Sequence, residues 1–288
     1  MKSRYFAIFV LAVAFFASCG ETKNEKKEKK VEGIPVVSTD SIVEEEVVPE
    51  EPSQLVKGLE IIDKDGNKSI VSFEYDEYDR LVRTTTRRNV GTADGLEKVC
   101  NITYRDGTVI CEDATHKLTI TLDSDSCAKK EEMISEGENF VMRYKYKSGK
   151  LSEYINEADC GSQYFWDGGN IAKVFEHSCD ESFSYDTVIY KYSDIVMPNI
   201  NILSFVGEGG SIPTAESVAP KGIVSHFMPS ESTANVYNDA GIVMGTTISK
   251  YDYTTDEYNR ITNIAYSIQF GYDGNFEDYG KVTIRVEY

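Results

Sequence analysis

The sequence predicts an all-β protein: a single large antiparallel meander of consecutive hairpins, curled into a barrel-like or half-barrel sheet. Apolar and polar side chains alternate along several segments, so each predicted strand has one apolar and one polar face. The clearest examples are residues 117–122, 140–147, 264–270 and 281–288. Tyrosine, which favours strands, is common at 19 residues. Because the connections are short, consecutive strands are expected to be neighbours in the sheet.

Residue pairs that tolerate a positive φ separate the alternating segments and predict hairpin turns. These pairs are Asp65-Gly66, Asp106-Gly107, Ser148-Gly149 and Gly169-Asn170. A β-hairpin is too small to bury its own apolar face, so the predicted hairpins must pair side by side.

The first 18 residues are predicted to be a lipoprotein signal peptide. The apolar stretch from Tyr5 to Phe16 follows a short basic start. It is shorter than the roughly 20 apolar residues of a transmembrane helix. Residues 16–19, Phe-Ala-Ser-Cys, resemble a bacterial lipobox with phenylalanine where leucine is usual. Cys19 is then the lipidated residue, whose acyl chains anchor the protein. The alternative is an ordinary signal peptide that is cut elsewhere.

The rest of the chain divides into a tether and one domain. Residues 19–54 begin with the lipidated cysteine and are rich in Lys, Glu, Val and Pro, a composition typical of a flexible acidic tether. Residues 55–288 are predicted to form the antiparallel β domain. An irregular insertion at about 193–245 carries most of the prolines of this domain, and residues 199–206 are predicted to form a short helix within it.

The formal net charge is −18, which argues against nucleic acid as a partner because phosphates require Lys and Arg. It also argues against binding of anionic lipid by the protein surface, so the N-terminal lipid is expected to be the whole membrane attachment. The predicted location is the outer membrane, lipid-anchored, on its periplasmic or cell-surface face.

A loose repeat underlies the predicted hairpins. Residues 73–81, FEYDEYDRL, are similar to residues 251–261, YDYTTDEYNRI, and residues 144–151 are a shorter version. With the lipoprotein signal and the segment 197–205, MPNINILSF, these hairpins resemble a Bacteroidota lipoprotein family known only as a domain of unknown function with a porin-like, barrel-type fold. The resemblance implies a large curled antiparallel sheet and no catalytic residues. The hairpins also resemble the Tyr-Asp repeats of large secreted proteins.

Five cysteines follow Cys19, and an exported protein lies where disulfides form. Because five is odd, at least one thiol is expected to stay free or to pair elsewhere. The best predicted disulfide joins Cys160 to Cys179, which face each other if the hairpin turns at Gly169-Asn170. Cys100 and Cys111 flank a second predicted hairpin, which turns at Asp106-Gly107, but they are diagonal in it, so this pair is less favoured. Pairing of Cys111 with Cys127 is a further alternative.

No motif in the sequence specifies a cofactor or a metal, and none is predicted. The three histidines lack zinc-protease spacing. A zinc site at His177 needs more ligands than the nearby cysteines supply. Residues 63–67, DKDGN, carry oxygens typical of calcium loops, but no glutamate closes the loop, which favours a hairpin turn.

Two functions follow. The first is a lipid-anchored, non-catalytic binding or interaction module with a glycan or envelope protein as partner; Tyr164 and Trp166 are the candidate ligand-stacking aromatics, although such residues also pair across strands. The second is a polysaccharide hydrolase that uses an Asp/Glu pair inside the curl of the sheet. The sequence identifies no such pair, and an enzyme is the less favoured interpretation.

Overall fold

The computed structural model describes residues 53–91, 95–135, 137–158, 160–177, 185–206 and 213–288. In these residues sixteen antiparallel strands form one closed barrel, in which each strand pairs with its neighbours in the chain and the first strand pairs with the last. The strands are β1 (Gly58–Ile62), β2 (Lys68–Tyr75), β3 (Leu81–Arg88), β4 (Leu96–Arg105), β5 (Thr108–Glu112), β6 (His116–Leu122), β7 (Ala128–Ser135), β8 (Glu138–Lys147), β9 (Lys150–Ile155), β10 (Gly161–Asp167), β11 (Asn170–His177), β12 (Tyr185–Val196), β13 (Phe227–Tyr237), β14 (Val243–Thr255), β15 (Ile261–Tyr272) and β16 (Asn275–Glu287).

The predicted all-β meander is therefore confirmed, and the curled sheet is a complete barrel. Closure comes from five residue pairs between β1 and β16, from Gly58 opposite Glu287 to Ile62 opposite Thr283. Closure removes the two free edges of the sheet, which would otherwise expose unpaired backbone groups. The predicted signal peptide and the tether up to residue 52 lie outside the described residues.

The inner face of the barrel is apolar. Alternate residues of each strand point inward, and they form one continuous core with the segment between β12 and β13. Typical fully buried members are Leu59, Val71, Leu118, Ile120 and Ile264.

The outer face carries ion pairs, most of which join neighbouring strands, and also exposed apolar side chains such as Ile134, Phe165 and Ile189. The ion pairs are Lys68–Glu60, Arg83–Glu74, Arg87–Glu97, Lys130–Glu132, Lys145–Glu153 and Lys191–Glu231. No described helix has the length and apolar character needed to cross a membrane.

The connection from β12 to β13 packs inside the barrel, and we call its described residues 197–206 and 213–226 the plug. It contains a 3₁₀ helix (Ile202–Phe205) and the one-turn helix α1 (Ala215–Val218). The aromatic rings of Phe205 and Phe73, the latter on the inner face of β2, lie 4.9 Å apart in an edge-on arrangement. The segment between β12 and β13 is shorter than the irregular insertion predicted at about 193–245, because strand pairing, with register shifts after Lys191, extends to Val196 and resumes at Phe227.

Polar contacts attach the plug to one end of the barrel. The Asn199 side chain accepts the backbone N–H of Val56 at 3.0 Å and donates to the Tyr75 hydroxyl at 3.0 Å. On the other side, Ser225 Oγ accepts the backbone N–H of Ile171 at 3.1 Å and lies 2.9 Å from the Tyr192 hydroxyl.

Two of the predicted turns, Asp106-Gly107 and Ser148-Gly149, connect directly paired residues as expected. The predicted turn at Gly169-Asn170 is wrong by one residue. Asp167 pairs with Asn170, so the turn is Gly168-Gly169. A register shift between Phe165 and Trp166 adds one residue to one side of this hairpin, and alternation read from sequence does not show such a bulge.

A five-residue turn recurs at six hairpins of the described chain. Its first residue is Asp or Asn, and the side-chain Oδ1 of that residue accepts the backbone N–H of the third and fifth residues. The turns span residues 63–67, 76–80, 123–127, 156–160, 238–242 and 256–260. The fourth residue has a positive φ wherever it is described, for example +59° at Asn259 and +82° at Gly66. The segment 63–67 is therefore a hairpin turn, as its sequence indicated.

The side-chain acceptor of this turn is expected to stabilise the barrel measurably. Asp256→Ala removes two backbone hydrogen bonds and the ion pair to Arg260, and should lower the free energy of unfolding. Asp256→Asn keeps the acceptor and loses only the charge, so its loss should be smaller. Urea unfolding of both variants measures the difference. Equal losses would mean that the ion pair, rather than the turn, carries the effect.

Candidate functional site: an acidic cavity inside the barrel

The barrel interior is not completely filled. A cavity of about 180 Å³ remains between the inner faces of β7 to β11 and the plug. Its walls combine carboxyl, phenol and hydroxyl groups with two aliphatic side chains. They are Glu131, Tyr144, Leu151, Tyr154, Ser162, Tyr164, Glu176, Thr214, Glu216 and Ile223.

Glu131 is held by two tyrosines. Strands β8 and β9 place Tyr144 directly opposite Tyr154, with ring centroids 4.7 Å apart. Tyr154 donates its hydroxyl to Glu131 Oε1 at 3.2 Å, and Tyr144 donates to the other carboxylate oxygen. Burial raises the pKa of Glu131, although both hydrogen bonds oppose that shift. The three residues form a fixed wall of the cavity.

Glu216 reaches the same cavity from the plug, where it lies in helix α1. The Asn201 side-chain amide donates to Glu216 Oε2 at 3.4 Å. Burial raises the pKa of Glu216 to about 8, and the nearby charge of Glu131 adds to the shift. Glu131 and Glu216 therefore form one acidic pair, supplied by two separate parts of the chain.

Glu176 and Asp186 form a second acidic pair on adjacent strands, where they lie directly opposite each other. Burial, with the charge of Asp186 as a smaller cause, raises the pKa of Glu176 to about 7. Burial alone raises the pKa of Asp186 to about 6. Asp186 is only 9% exposed, and its Oδ1 has no hydrogen-bond partner among the described residues. A buried carboxylate oxygen without a partner is costly and marks this position as functionally interesting.

Tyr164 lies between the two acidic pairs. Burial raises its pKa, and the charges of Glu216, Glu176 and Glu131 add to the shift, so all three carboxyls are near its ring. Within the described part of the chain, no lysine, arginine or histidine lowers the pKa of any of the four carboxyls. The cavity is thus an uncompensated acidic site in a largely apolar interior.

The residues predicted as a stacking platform face inward. Tyr164 is buried and lines the cavity. Trp166 is half-buried, and its ring Nε1 donates to the Leu151 carbonyl oxygen at 2.7 Å, with the Lys150 ammonium 5.1 Å from the ring centre. Neither residue forms an exposed aromatic row, so both contribute to the packing of the interior.

None of the described cysteines lines this cavity. Cys160 is disulfide-bonded, whereas Cys100, Cys111 and Cys127 are free. Cys100 is diagonal to Cys111 across β4 and β5, since Cys111 lies opposite Ile102. Cys19 and Cys179 lie outside the described residues, so the lipidation and the pairing of Cys160 with Cys179 stay predictions.

The sequence did contain a signal for the acidic cavity. Each strand carboxyl occupies a position that alternation assigns to the apolar face: Glu131 shares a face with Met133, Glu176 with Val174, and Asp186 with Val188. No comparable signal marked Glu216, because its position depends on how the plug enters the barrel. Among the described residues, no group of three or more His, Cys, Asp or Glu side chains could hold a metal ion.

The fold defines the class of protein: a closed antiparallel β-barrel with an internal plug. A crystal structure of a porin-like protein from Bacteroides uniformis ATCC 8492 is similar to it, with a TM-score of 0.57 and 14% sequence identity. The similarity covers 82% of this chain and 97% of that chain. At this identity the similarity establishes the barrel fold. The predicted barrel-type fold is therefore confirmed. No family model and no curated protein matches the sequence, so membership of the lipoprotein family is not confirmed.

The buried carboxyls make stability depend on pH. The pKa values of Glu176, Asp186 and Glu216 are raised to about 7, 6 and 8, so the folded protein keeps protons that the unfolded chain releases. The free energy of unfolding should therefore fall as pH rises from about 5 to about 8.5. Each carboxyl contributes up to roughly 1.4 kcal/mol for every tenfold difference in proton affinity between the folded and unfolded states. Urea unfolding across this range measures the effect.

The variant Glu216→Gln should remove part of that dependence and unfold at higher urea than the parent at pH 8.5. The replacement Glu97→Gln, on the outer surface, is the matched control and should leave the slope unchanged. Measurements stay above pH 5 because the turn residues Asp76 and Asp256, whose pKa values are lowered, lose stabilising contacts in acid. A flat profile for the parent protein would contradict the prediction.

Proposed function

We propose that this chain is a lipid-anchored protein of the cell envelope whose barrel binds a small ligand in the acidic cavity and carries out no reaction on it. The observation that carries the proposal is the cavity itself: Glu131, Glu176 and Glu216 line it, with Asp186 directly opposite Glu176, and these carboxyls have no basic partner in the described chain. Ligand sites are typically enclosed, largely apolar and equipped with a few polar groups of this kind.

The outer surface supports a barrel that lies outside the bilayer. Barrels that span membranes present a continuous apolar band to lipid. Here the outer face carries cross-strand ion pairs such as Arg83–Glu74 and Lys191–Glu231. We therefore propose that attachment is through the acyl chains on Cys19, and that residues 20–54 hold the barrel away from the outer membrane. This arrangement fits either face of that membrane.

Polysaccharide hydrolysis is the second candidate, favoured by one observation. Glu131 and Glu216 line one cavity and both have raised pKa values, which is how an acid catalyst is prepared. A glycosidase, however, must accept a sugar chain in an open cleft. The cavity between the plug and strands β7 to β11 has a volume of only about 180 Å³, so binding of a small molecule fits it better.

The lipid anchor has a direct test. Cells that express the full chain are labelled with radioactive palmitate, and the parent protein is expected to carry label and to fractionate with the outer membrane. Cys19→Ala should carry no label and leave the membrane fraction. Cys127→Ala, at a free cysteine of the barrel, is the control and should behave like the parent. Unlabelled parent protein would mean that an ordinary signal peptide is used.

Binding in the cavity can be tested with a matched pair of variants on one strand. Ser162→Leu adds volume inside the cavity, whereas Gln163→Leu adds the same side chain on the exposed face of β10. A thermal-shift screen of small cations, anions and neutral compounds is expected to find ligands that raise the Tm of the parent and of Gln163→Leu. The Ser162→Leu protein should not respond. If no compound discriminates between the variants, the cavity is not a ligand site.

A further inference from the structure

We propose that the acidic cavity takes a short organic dication: an aliphatic chain with an ammonium group at each end. The inference rests on the proposed binding function and specifies the chemical class of the ligand. It follows from three properties of the interior, namely its charge, the separation of its acidic groups and its size.

The charge of the cavity selects a cation. Glu131, Glu176, Asp186 and Glu216 face the interior, and no basic side chain of the described chain offsets them. The undescribed segments nearest in sequence, 178–184 and 207–212, contain no Lys, Arg or His. Asp186 supplies independent support, since its Oδ1 is buried on the inner face without a partner in the described chain. An ammonium group would satisfy that oxygen with a charge-assisted hydrogen bond.

The carboxyls are divided into two pairs, which favours a ligand with two charges. Glu131 on β7 lies near Glu216 of the plug, whereas Glu176 on β11 lies directly opposite Asp186 on β12. Strands β8, β9 and β10 separate β7 from β11 in the barrel wall. Tyr164 lies between the pairs and responds to both. One ammonium group can therefore be held at each pair, with its donors shared between two carboxyls.

The wall between the pairs suits a short apolar linker. Leu151 and Ile223 are aliphatic, and the ring of Tyr164 offers a face to which methylene and ammonium groups are both attracted. An apolar cavity of about 150 Å³ is known to accept benzene, so a cavity of about 180 Å³ holds a diamine of four or five carbons. Longer polyamines would not fit without displacing the plug.

The experiment is isothermal titration of the purified full-length protein with 1,4-diaminobutane at pH 8.5, above the raised pKa values of Glu176 and Glu216. One-to-one binding is expected. Butylamine, which has one charge, should bind about tenfold more weakly or less, and 1,4-butanediol, which has none, should not bind at matched concentrations. Glu216→Gln and Glu176→Gln each remove a charge from one pair and should weaken binding about tenfold, whereas Glu97→Gln on the outer surface should not.

Several results would overturn the inference. Equal loss in Glu97→Gln and Glu216→Gln would mean that the diamine associates with the acidic surface. Tighter binding of Mg²⁺ or Ca²⁺, lost in Glu216→Gln, would make this a metal site. If 1,4-diaminobutane fails but a neutral or anionic compound distinguishes Ser162→Leu from Gln163→Leu, the ligand class is wrong and the binding function holds. If no compound distinguishes Ser162→Leu from Gln163→Leu, both the ligand class and the binding function are wrong. Thermal unfolding of each variant verifies that it is folded.

Discussion

The width of the barrel is the constraint on which the rest of this structure depends. The side chains of about eight strands fill the barrel they form, whereas sixteen strands enclose a space that is open in water-filled channels. The inner face here is apolar, with residues such as Leu118, Ile120 and Ile264 fully buried, and it cannot be left in contact with water. The chain meets this requirement with the plug, whose own apolar residues join the same core.

An irregular segment does not fill a wide barrel completely, and the space that it leaves unfilled is the acidic cavity. Strands impose a fixed spacing on their side chains, whereas the plug is shaped by a 3₁₀ helix and a single helical turn. Carboxyls at such a position oppose folding, because burial penalises their charged form and no basic partner in the described chain compensates them. An arrangement that costs stability without serving the packing is more simply explained by ligand binding.

The strands were predictable from sequence because the alternation of apolar and polar residues shows which face of each strand is buried. Strands were predicted correctly at residues 117–122, which lie in β6, and at residues 264–270, which lie in β15. The register of the hairpin that turns at Gly168-Gly169 was misjudged because a bulge in β11 buries Ile171 and Val174, which are three residues apart, and strict alternation does not anticipate this. Strand order followed from short connections, but the filling of the interior did not, because the contact between Phe205 and Phe73 joins residues far apart in the chain. Glu216 was unpredictable for the same reason.

The polarity of the barrel separates this protein from a pore with the same topology. A meander of antiparallel strands satisfies its backbone in lipid or in water, so the fold alone does not decide which solvent surrounds it. The side chains differ from those of an open channel: ion pairs such as Arg87–Glu97 occupy the outer face, and buried apolar residues occupy much of the inner one. If the apolar residues of a porin-like barrel are placed on the inner face and the polar residues on the outer face, its interior can become a packed core instead of a channel lumen. The acidic cavity then lies within that packed interior, where a charge acts at a lower dielectric than in water.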